Sequence, residues 1–417
     1  MKWKNDFSRF KLRSCRICRS KKLYSFLSLG MMPIPNGFLA IKDLRNKEEK
    51  YPLSVCVCED CHLVQLTHVI PAKIMFKNYL YIPSTSLTML KHFNDLVEDI
   101  RKKSKLSSED LIVDIGSNDG TLLTFFKKEG MKVLGIDPSE NLSLIAKLKG
   151  IENVNKFFTR KQASKIIKKY GRAKIITATN VMPHVHNLHN FFSGVSDLLT
   201  DDGIFIAEFP YVPDLFRKNE FDTIYHEHLS YFSLQPLKIL LDRYHLRINE
   251  LKKIPVHGGS LRLYIAKKSL LQGEKQTDAF LENEKKNNFG QLKTYKNFSR
   301  RVRKMRIALV TLLKELKRNG KKIVGYGASA KGNVLLNYCN LDTRTIEYIV
   351  DSISYKQGKF TPGTHVPIFS EERLQKDMPD YALLLSWNFA DEILRKQVAY
   401  REKGGRFIIT IPYLRIE

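Results

Sequence analysis

Residues 225–228 read Tyr-His-Glu-His. A phenol, two imidazoles and a carboxylate stand in four consecutive positions. An imidazole titrates near neutral pH, so His228 suits removal of a weakly acidic proton. The phenol of Tyr225 suits donation to an oxygen on which negative charge grows. Together they fit proton abstraction beside a ketone, with Glu227 orienting or polarising the site. His226 is left outside this set. A solvated polar loop also accounts for these residues, so the surrounding elements must decide.

A second chemical cluster lies near the start. Five of the six cysteines fall between residues 15 and 61. Cys15 and Cys18 form one C-x2-C pair, and Cys58 and Cys61 form another. Two such knuckles offer four thiolates to a tetrahedral zinc ion and leave no open position, so the site reads as structural. Cys56 fits neither knuckle and is spare. Zinc would offset the entropy of ordering a small N-terminal module that lacks a large core.

The elements that position chemistry come next. Residues 110–137 alternate as strand, Gly-rich turn, helix and strand, the pattern of a βαβ unit with binding loops at its strand ends. The turn Gly-Ser-Asn-Asp-Gly at 116–120 is not the G-x-G-x-x-G of a pyrophosphate cradle. It sets Gly116, Asn118 and the carboxylate of Asp119 together, which suits a positively charged ligand. Asp137 follows roughly 20 residues after the turn, where a carboxylate accepts from ribose hydroxyls. S-adenosylmethionine (SAM) has the ribose, the ammonium and the sulfonium. A generic βαβ unit and a dinucleotide site are the alternatives. Later strand ends bring Asn180, His184 and Glu208 to the same rim.

Residues 321–341 form another strand–turn–helix, with Gly325, Gly327, Lys331 and Gly332 in or beside the turn. Helix N-terminal N–H groups with lysines suit phosphate. Between the two units, Phe298, Val302, Met305, Leu309, Leu312 and Leu316 recur at helical spacing beneath a dense basic run. That run reads as a solvated helix face. The expected class is α/β, with two doubly wound Rossmann-like domains and a small N-terminal zinc-binding domain. The boundaries are residues 1–75, 76–288 and 289–417.

The chain has 417 residues, 43% hydrophobic, and a net charge of +27. That excess suits nucleic acid, a membrane surface or a phosphorylated small molecule. No apolar run approaches the ~18 residues of a spanning helix. The first twenty residues lack the apolar core of a signal peptide, which points to the cytoplasm.

The stretches CRIC and CEDCHLVQL, SNDGTLL, TNVMPHV, EFPYVPDLFRKNEFDTIYHEHLSYFS, HGGSLR and GYGASAKGNVLLNYC resemble, in this order, the sugar C-methyltransferases of bacterial deoxysugar biosynthesis. Those enzymes act on nucleotide-linked 4-keto-6-deoxyhexoses, and the resemblance runs over nearly the whole chain. It implies zinc on Cys15, Cys18, Cys58 and Cys61, SAM in the middle domain, and a sugar nucleotide on the C-terminal domain. It implies methylation at C3, next to the ketone. It associates Tyr79, His184, Tyr225, Glu227 and His228 with the active site, and it makes Lys331, Tyr355, Lys356 and Trp387 candidate contacts for the nucleoside-diphosphate sugar. The extra Cys56 and the high basicity depart from what the motifs require. The expected partner is a small molecule, with no nucleic acid or membrane, on a monomer or dimer. The competing readings are a zinc-ribbon nucleic-acid-binding protein and an NAD-dependent oxidoreductase. The first lacks a recognisable RRM, KH or helix-turn-helix signature. The second fits the 116–120 turn poorly and leaves the zinc module idle.

Overall fold

The computed structural model describes residues 7–72, 75, 82–268 and 271–417. Strands β1 (Leu23–Met32), β2 (Tyr51–Cys58) and β3 (Val64–Leu66) come first. Then come β4 (Leu111–Ile115), β5 (Lys132–Ile136), β6 (Asn153–Val154), β7 (Ala173–Thr179) and β8 (Leu199–Pro210). Strands β9 (Ser230–Tyr231), β10 (Arg247–Ile254) and β11 (Ser260–Ala266) follow. The last part holds β12 (Ile323–Tyr326), β13 (Ile349–Val350), β14 (Ile368–Phe369), β15 (Tyr381–Leu384), β16 (Arg406–Ile409) and β17 (Arg415–Ile416). They build three sheets, in the orders β1-β2-β3-β9, β10-β11-β8-β7-β4-β5-β6 and β14-β13-β12-β15-β16-β17. This is the α/β class expected from the sequence.

In the middle sheet β4 to β8 pair in parallel, while β10 and β11 add an antiparallel edge. A parallel strand with helices on both faces is buried on both faces, so β4 is buried throughout and reads as a nearly unbroken apolar run. Strand order reverses at β4, between β5 and β7. The crevice outside the carboxyl ends there is the binding position of such sheets. The C-terminal sheet repeats the device, with β12 between β13 and β15.

The helix Leu292–Arg318 spans 27 residues. Its buried stripe is Tyr295, Phe298, Val302, Leu309 and Leu313, and Phe298 stacks flat on Phe216 with ring centroids 4.2 Å apart. Met305, Leu312 and Leu316 are only partly buried against the same core. Arg300, Arg303, Lys304 and Arg306 face solvent, as an amphipathic helix requires.

The N-terminal module departs from the expectation of a small unit without a large core. Phe26, Leu29, Leu53 and Val55 of β1 and β2 share one continuous core with that helix and the C-terminal sheet. The knuckle side, with Cys15, Ile17 and Leu63, packs into the core of the middle sheet. The module therefore draws its apolar burial from both neighbours and wedges between them.

Candidate active site

The two cysteine knuckles fold alike. Arg19 and His62, each directly after the second cysteine of its pair, adopt left-handed φ values of 67° and 64°. Their N–H groups close the turns onto the carbonyls of Cys15 (3.1 Å) and Cys58 (2.9 Å). The four sulfurs lie within 4.8 Å of one another, with Cys15–Cys61 and Cys18–Cys58 at 3.4 Å. A tetrahedron with metal–sulfur bonds of ~2.3 Å needs nearly such spacings, so the quartet fits zinc. The Cys61 thiol beside Cys15 lowers the Cys15 thiol to about 5. Cys56 stays outside. Burial pushes its thiol up to about 12, and its Sγ donates to the Gln65 carbonyl at 3.6 Å.

At the crevice of the middle sheet, Gly116 has φ +73°, and a Cβ there would come within 2.3 Å of the Val181 side chain. Only glycine fits so close a crossing. Asn118 is also left-handed, at φ 51°. Its N–H donates to Asp137 Oδ2 at 3.0 Å, and the Ser139 N–H donates to Oδ1 at 2.8 Å. These bonds fix the Asp137 carboxylate at the end of β5 with acceptor capacity left for a ribose diol. Burial raises its carboxyl above the usual range. Asn180, at φ 58°, follows β7, and its N–H donates to the Glu208 carbonyl at 2.8 Å. Gly116, Asn118, Asp137 and Asn180 all line one cavity, and that arrangement fits SAM.

Asp119 and Glu208 are placed otherwise. Asp119 is fully buried behind the turn, where Oδ2 accepts from Lys149 at 2.6 Å and Oδ1 from the Thr121 hydroxyl at 2.7 Å. Its carboxylate ties down the start of the helix Thr121–Lys128 and is not on the cavity wall. Glu208 lies inside β8, which runs on to Pro210. It pairs with Arg262 Nε at 2.5 Å and His92 Nε2 at 2.8 Å, away from the rim. A residue the motif reading passed over, Asp114, does line the cavity. It accepts from the Thr177 hydroxyl at 2.6 Å, and burial raises its carboxyl to about 7. A lone aspartate inside an otherwise apolar buried strand was the signal available for it.

Two members of the Tyr-His-Glu-His segment, Tyr225 and His228, reach the cavity. His228 Nδ1 lies 2.9 Å from the Thr223 carbonyl, which can only accept, so Nδ1 carries the proton and Nε2 keeps the lone pair. The Tyr225 hydroxyl stands 2.8 Å from that Nε2 and donates to it. His184 sits edge-on to His228, with centroids 4.9 Å apart, and burial lowers its imidazole to about 4, so it is neutral. Tyr225, His228 and His184 line the cavity. Glu227 does not. It is buried, and its Oε1 accepts from the Asn36 amide at 2.7 Å; Asn36 itself is on the wall. His226 turns into the N-terminal sheet, 3.4 Å from the Tyr51 carbonyl, lowered to about 4 by burial. Tyr79 lies outside the described residues.

All three parts of the molecule pin this segment. The Leu229 N–H donates to the Pro183 carbonyl of the middle domain at 2.7 Å, and β9 joins β3 of the N-terminal sheet. From the C-terminal side Trp387 Nε1 donates to Asp222 Oδ2 at 2.6 Å.

Across the cavity, Gly327 has φ +85° and packs where a Cβ would meet the Ser386 hydroxyl at 2.3 Å. Ser329 caps the helix Ala330–Cys339 by accepting from the Gly332 N–H at 3.0 Å. Gly327, Lys331, Tyr355 and Lys356 are on the wall. Lys356 is anchored on Asp351 at 3.2 Å. Trp387 is not on the wall; it lies beneath Lys331, whose Nζ stands 4.6 Å over its ring. The whole cavity measures about 1280 Å³. A single small-molecule site occupies ~300–1,000 Å³, so this one has room for two ligands.

Residues 15–76 match a family model described as a zinc binding domain, residues 89–251 a methyltransferase domain, and residues 255–412 a C-methyltransferase C-terminal domain. The chain is 35% identical over 403 residues to the C-methyltransferase NovU of Streptomyces niveus, covering 96% of each protein. Among solved structures, a SAM-dependent methyltransferase from Clostridium acetobutylicum is 14% identical, with a TM-score of 0.35 over 42% of this chain and 91% of that one. The magnesium protoporphyrin IX methyltransferase of Synechocystis PCC 6803 is 13% identical, with a TM-score of 0.33 over 43% of this chain and 79% of that one. Neither likeness is strong enough to bear on function. The full-length match and the three domain matches, each falling on a site with fitting geometry, place the chain in the family of SAM-dependent C-methyltransferases that carry an N-terminal zinc-binding domain.

Proposed function

We propose that the enzyme methylates C3 of a nucleotide-linked 4-keto-6-deoxyhexose, in the synthesis of a branched deoxysugar. The observation that carries this reading is the hydrogen-bonded series Tyr225–His228–Thr223, set where a ribose acceptor and a phosphate-type turn share one cavity. Carbon methylation needs a nucleophilic carbon. A C–H beside a ketone becomes one on losing its proton.

Asp137, Asn118 and Asn180 hold the cofactor, and Lys331, Tyr355 and Lys356 hold the diphosphate and sugar. When bound, SAM supplies an electrophilic methyl group. His228 takes the C3 proton on Nε2, while its Nδ1–H stays on the Thr223 carbonyl. The Tyr225 hydroxyl turns from Nε2 to the C4 oxygen and holds the enolate. His184 completes the polar wall, and Glu227 positions Asn36. General-base action contributes ~10²–10⁴-fold. Fixing two substrates together contributes as much or more, roughly 7–11 kcal/mol in favourable cases.

The 2.8 Å Tyr225–His228 bond also supports a second reading. There Tyr225 takes the C3 proton as its own passes to His228. In both, the two residues act as a unit.

Incubation with isotopically labelled SAM and a panel of nucleoside-diphosphate sugars tests the substrate. Label is expected in the sugar only for 4-keto-6-deoxy members, at C3. Transfer to sugars without the ketone, or to oxygen, would contradict the proposal.

A further inference from the structure

The turn Phe221–Thr223 leads into the base segment and is buried throughout. Asp222 is fully buried in it, and its Oδ1 has no hydrogen-bond partner among the described residues. Its other oxygen holds Trp387 Nε1 at 2.6 Å. Glu220, two residues earlier, is also fully buried, with neither oxygen hydrogen-bonded among the described residues. Lys218 forms an ion pair with it at 3.8 Å. Leaving such groups under-bonded in a core is costly, so packing alone does not account for them. Burial raises the carboxyls of Glu220 and Asp222 to about 7 and about 6, and Lys331 is the foremost charge opposing both rises. Lys331 also faces the cavity. The residue after Asp222 is Thr223, whose carbonyl fixes the tautomer of His228.

We propose that Asp222 and Trp387 are a positioning pair for the base. Trp387 reaches from the C-terminal sheet, fixes Asp222, and thereby fixes the Thr223 carbonyl that orients His228. Lys331, lying on the Trp387 ring, brings the anionic end of the sugar nucleotide against the same pair, so docking of that end and orientation of the base are linked. This rests on the reading of His228 as base. Among the described residues, Tyr225, His184, Tyr231 and the Thr223 carbonyl face His228. An imidazolium gains more from a carbonyl acceptor than a neutral ring does. Loosening Thr223 therefore lowers the pKa of His228.

Trp387→Phe keeps a ring and removes the donor. A charge-assisted hydrogen bond sets the scale of the loss, so kcat is expected to fall roughly ten- to a hundredfold. The acid limb of the kcat profile should move to lower pH with SAM affinity near wild type, while the melting temperature falls because the buried Asp222 carboxylate loses its indole donor. Asp222→Asn keeps an acceptor for Trp387 and should retain much more activity than Asp222→Ala, which decides the matter even if Trp387→Phe folds poorly. A wild-type kcat with an unmoved limb in Trp387→Phe would overturn the pair, as would Asn and Ala variants equally damaged. If His228→Asn is dead while Trp387→Phe is silent, the pair alone fails. If His228→Asn keeps full rate, the base reading fails with it.

Discussion

His228 and His226 are two positions apart and have opposite fates. One lines the cavity with its protonation fixed by a carbonyl, and the other is buried against Tyr51. Asp137 gives the most direct binding prediction at this scale. Hydrogen bonds to a charged acceptor are worth ~1.5–3 kcal/mol, so Asp137→Ala should weaken SAM roughly ten- to a hundredfold. Calorimetric titration should find sugar-nucleotide affinity nearly unchanged; equal weakening of both ligands would mean a folding defect. Glu220 gives a stability prediction. Its carboxyl is raised to about 7 when folded, so between the ordinary carboxylate range and pH 7 the folded state binds more protons than the unfolded one. That contribution is present at low pH and is lost as pH rises through 7. Glu220→Gln removes the dependence, so its melting temperature relative to wild type should be higher at pH 8 than at pH 5. Side-chain roles were partly legible in the sequence. Ribose-acceptor spacing pointed to Asp137, which does line the cavity, but nothing in Gly-Ser-Asn-Asp-Gly said that Asp119 would turn back to Lys149. That choice depends on a partner thirty positions away.

At the scale of elements, boundaries were legible wherever glycine and strand pattern act locally. The strand Leu111–Ile115, the turn, and the helix Thr121–Lys128 fall where the sequence places them. So do the two knuckles, because C-x2-C closes through its own backbone. What the sequence could not carry was the burial of the N-terminal sheet. That depends on Phe216 and Tyr295 reaching it from distant segments. The zinc prediction belongs here. Structural zinc in small modules is worth roughly 10–16 kcal/mol, so Cys18→Ser or Cys61→Ser should release the metal and lower the melting temperature. Because this module is wedged between both other cores, its loss should also lower the unfolding temperature of the whole chain. Metal analysis with calorimetry checks this. Purified protein lacking zinc, or a serine variant melting as wild type, would contradict it.

The whole molecule converges on one stretch of chain. Residues 220–231 take a strand partner from the N-terminal sheet, a backbone bond from Pro183 and an indole donor from Trp387. Held from three sides, His228 is placed to stay oriented as the proposed base. The sequence showed the chemistry of this stretch and not its anchorage, because each anchor is a long-range contact. Two variants test the central claim that this stretch removes a proton from carbon. His228→Asn should bind both ligands and lose turnover by ~10²–10⁴-fold, the range of general-base catalysis, while Tyr225→Phe should lose less. The most direct measurement is exchange of the C3 hydrogen of the 4-keto sugar nucleotide with deuterated water, followed by NMR without SAM. The wild type is expected to exchange and His228→Asn to bind the sugar without exchanging. Exchange at the wild-type rate in His228→Asn would contradict the account and move the base to Tyr225 or His184.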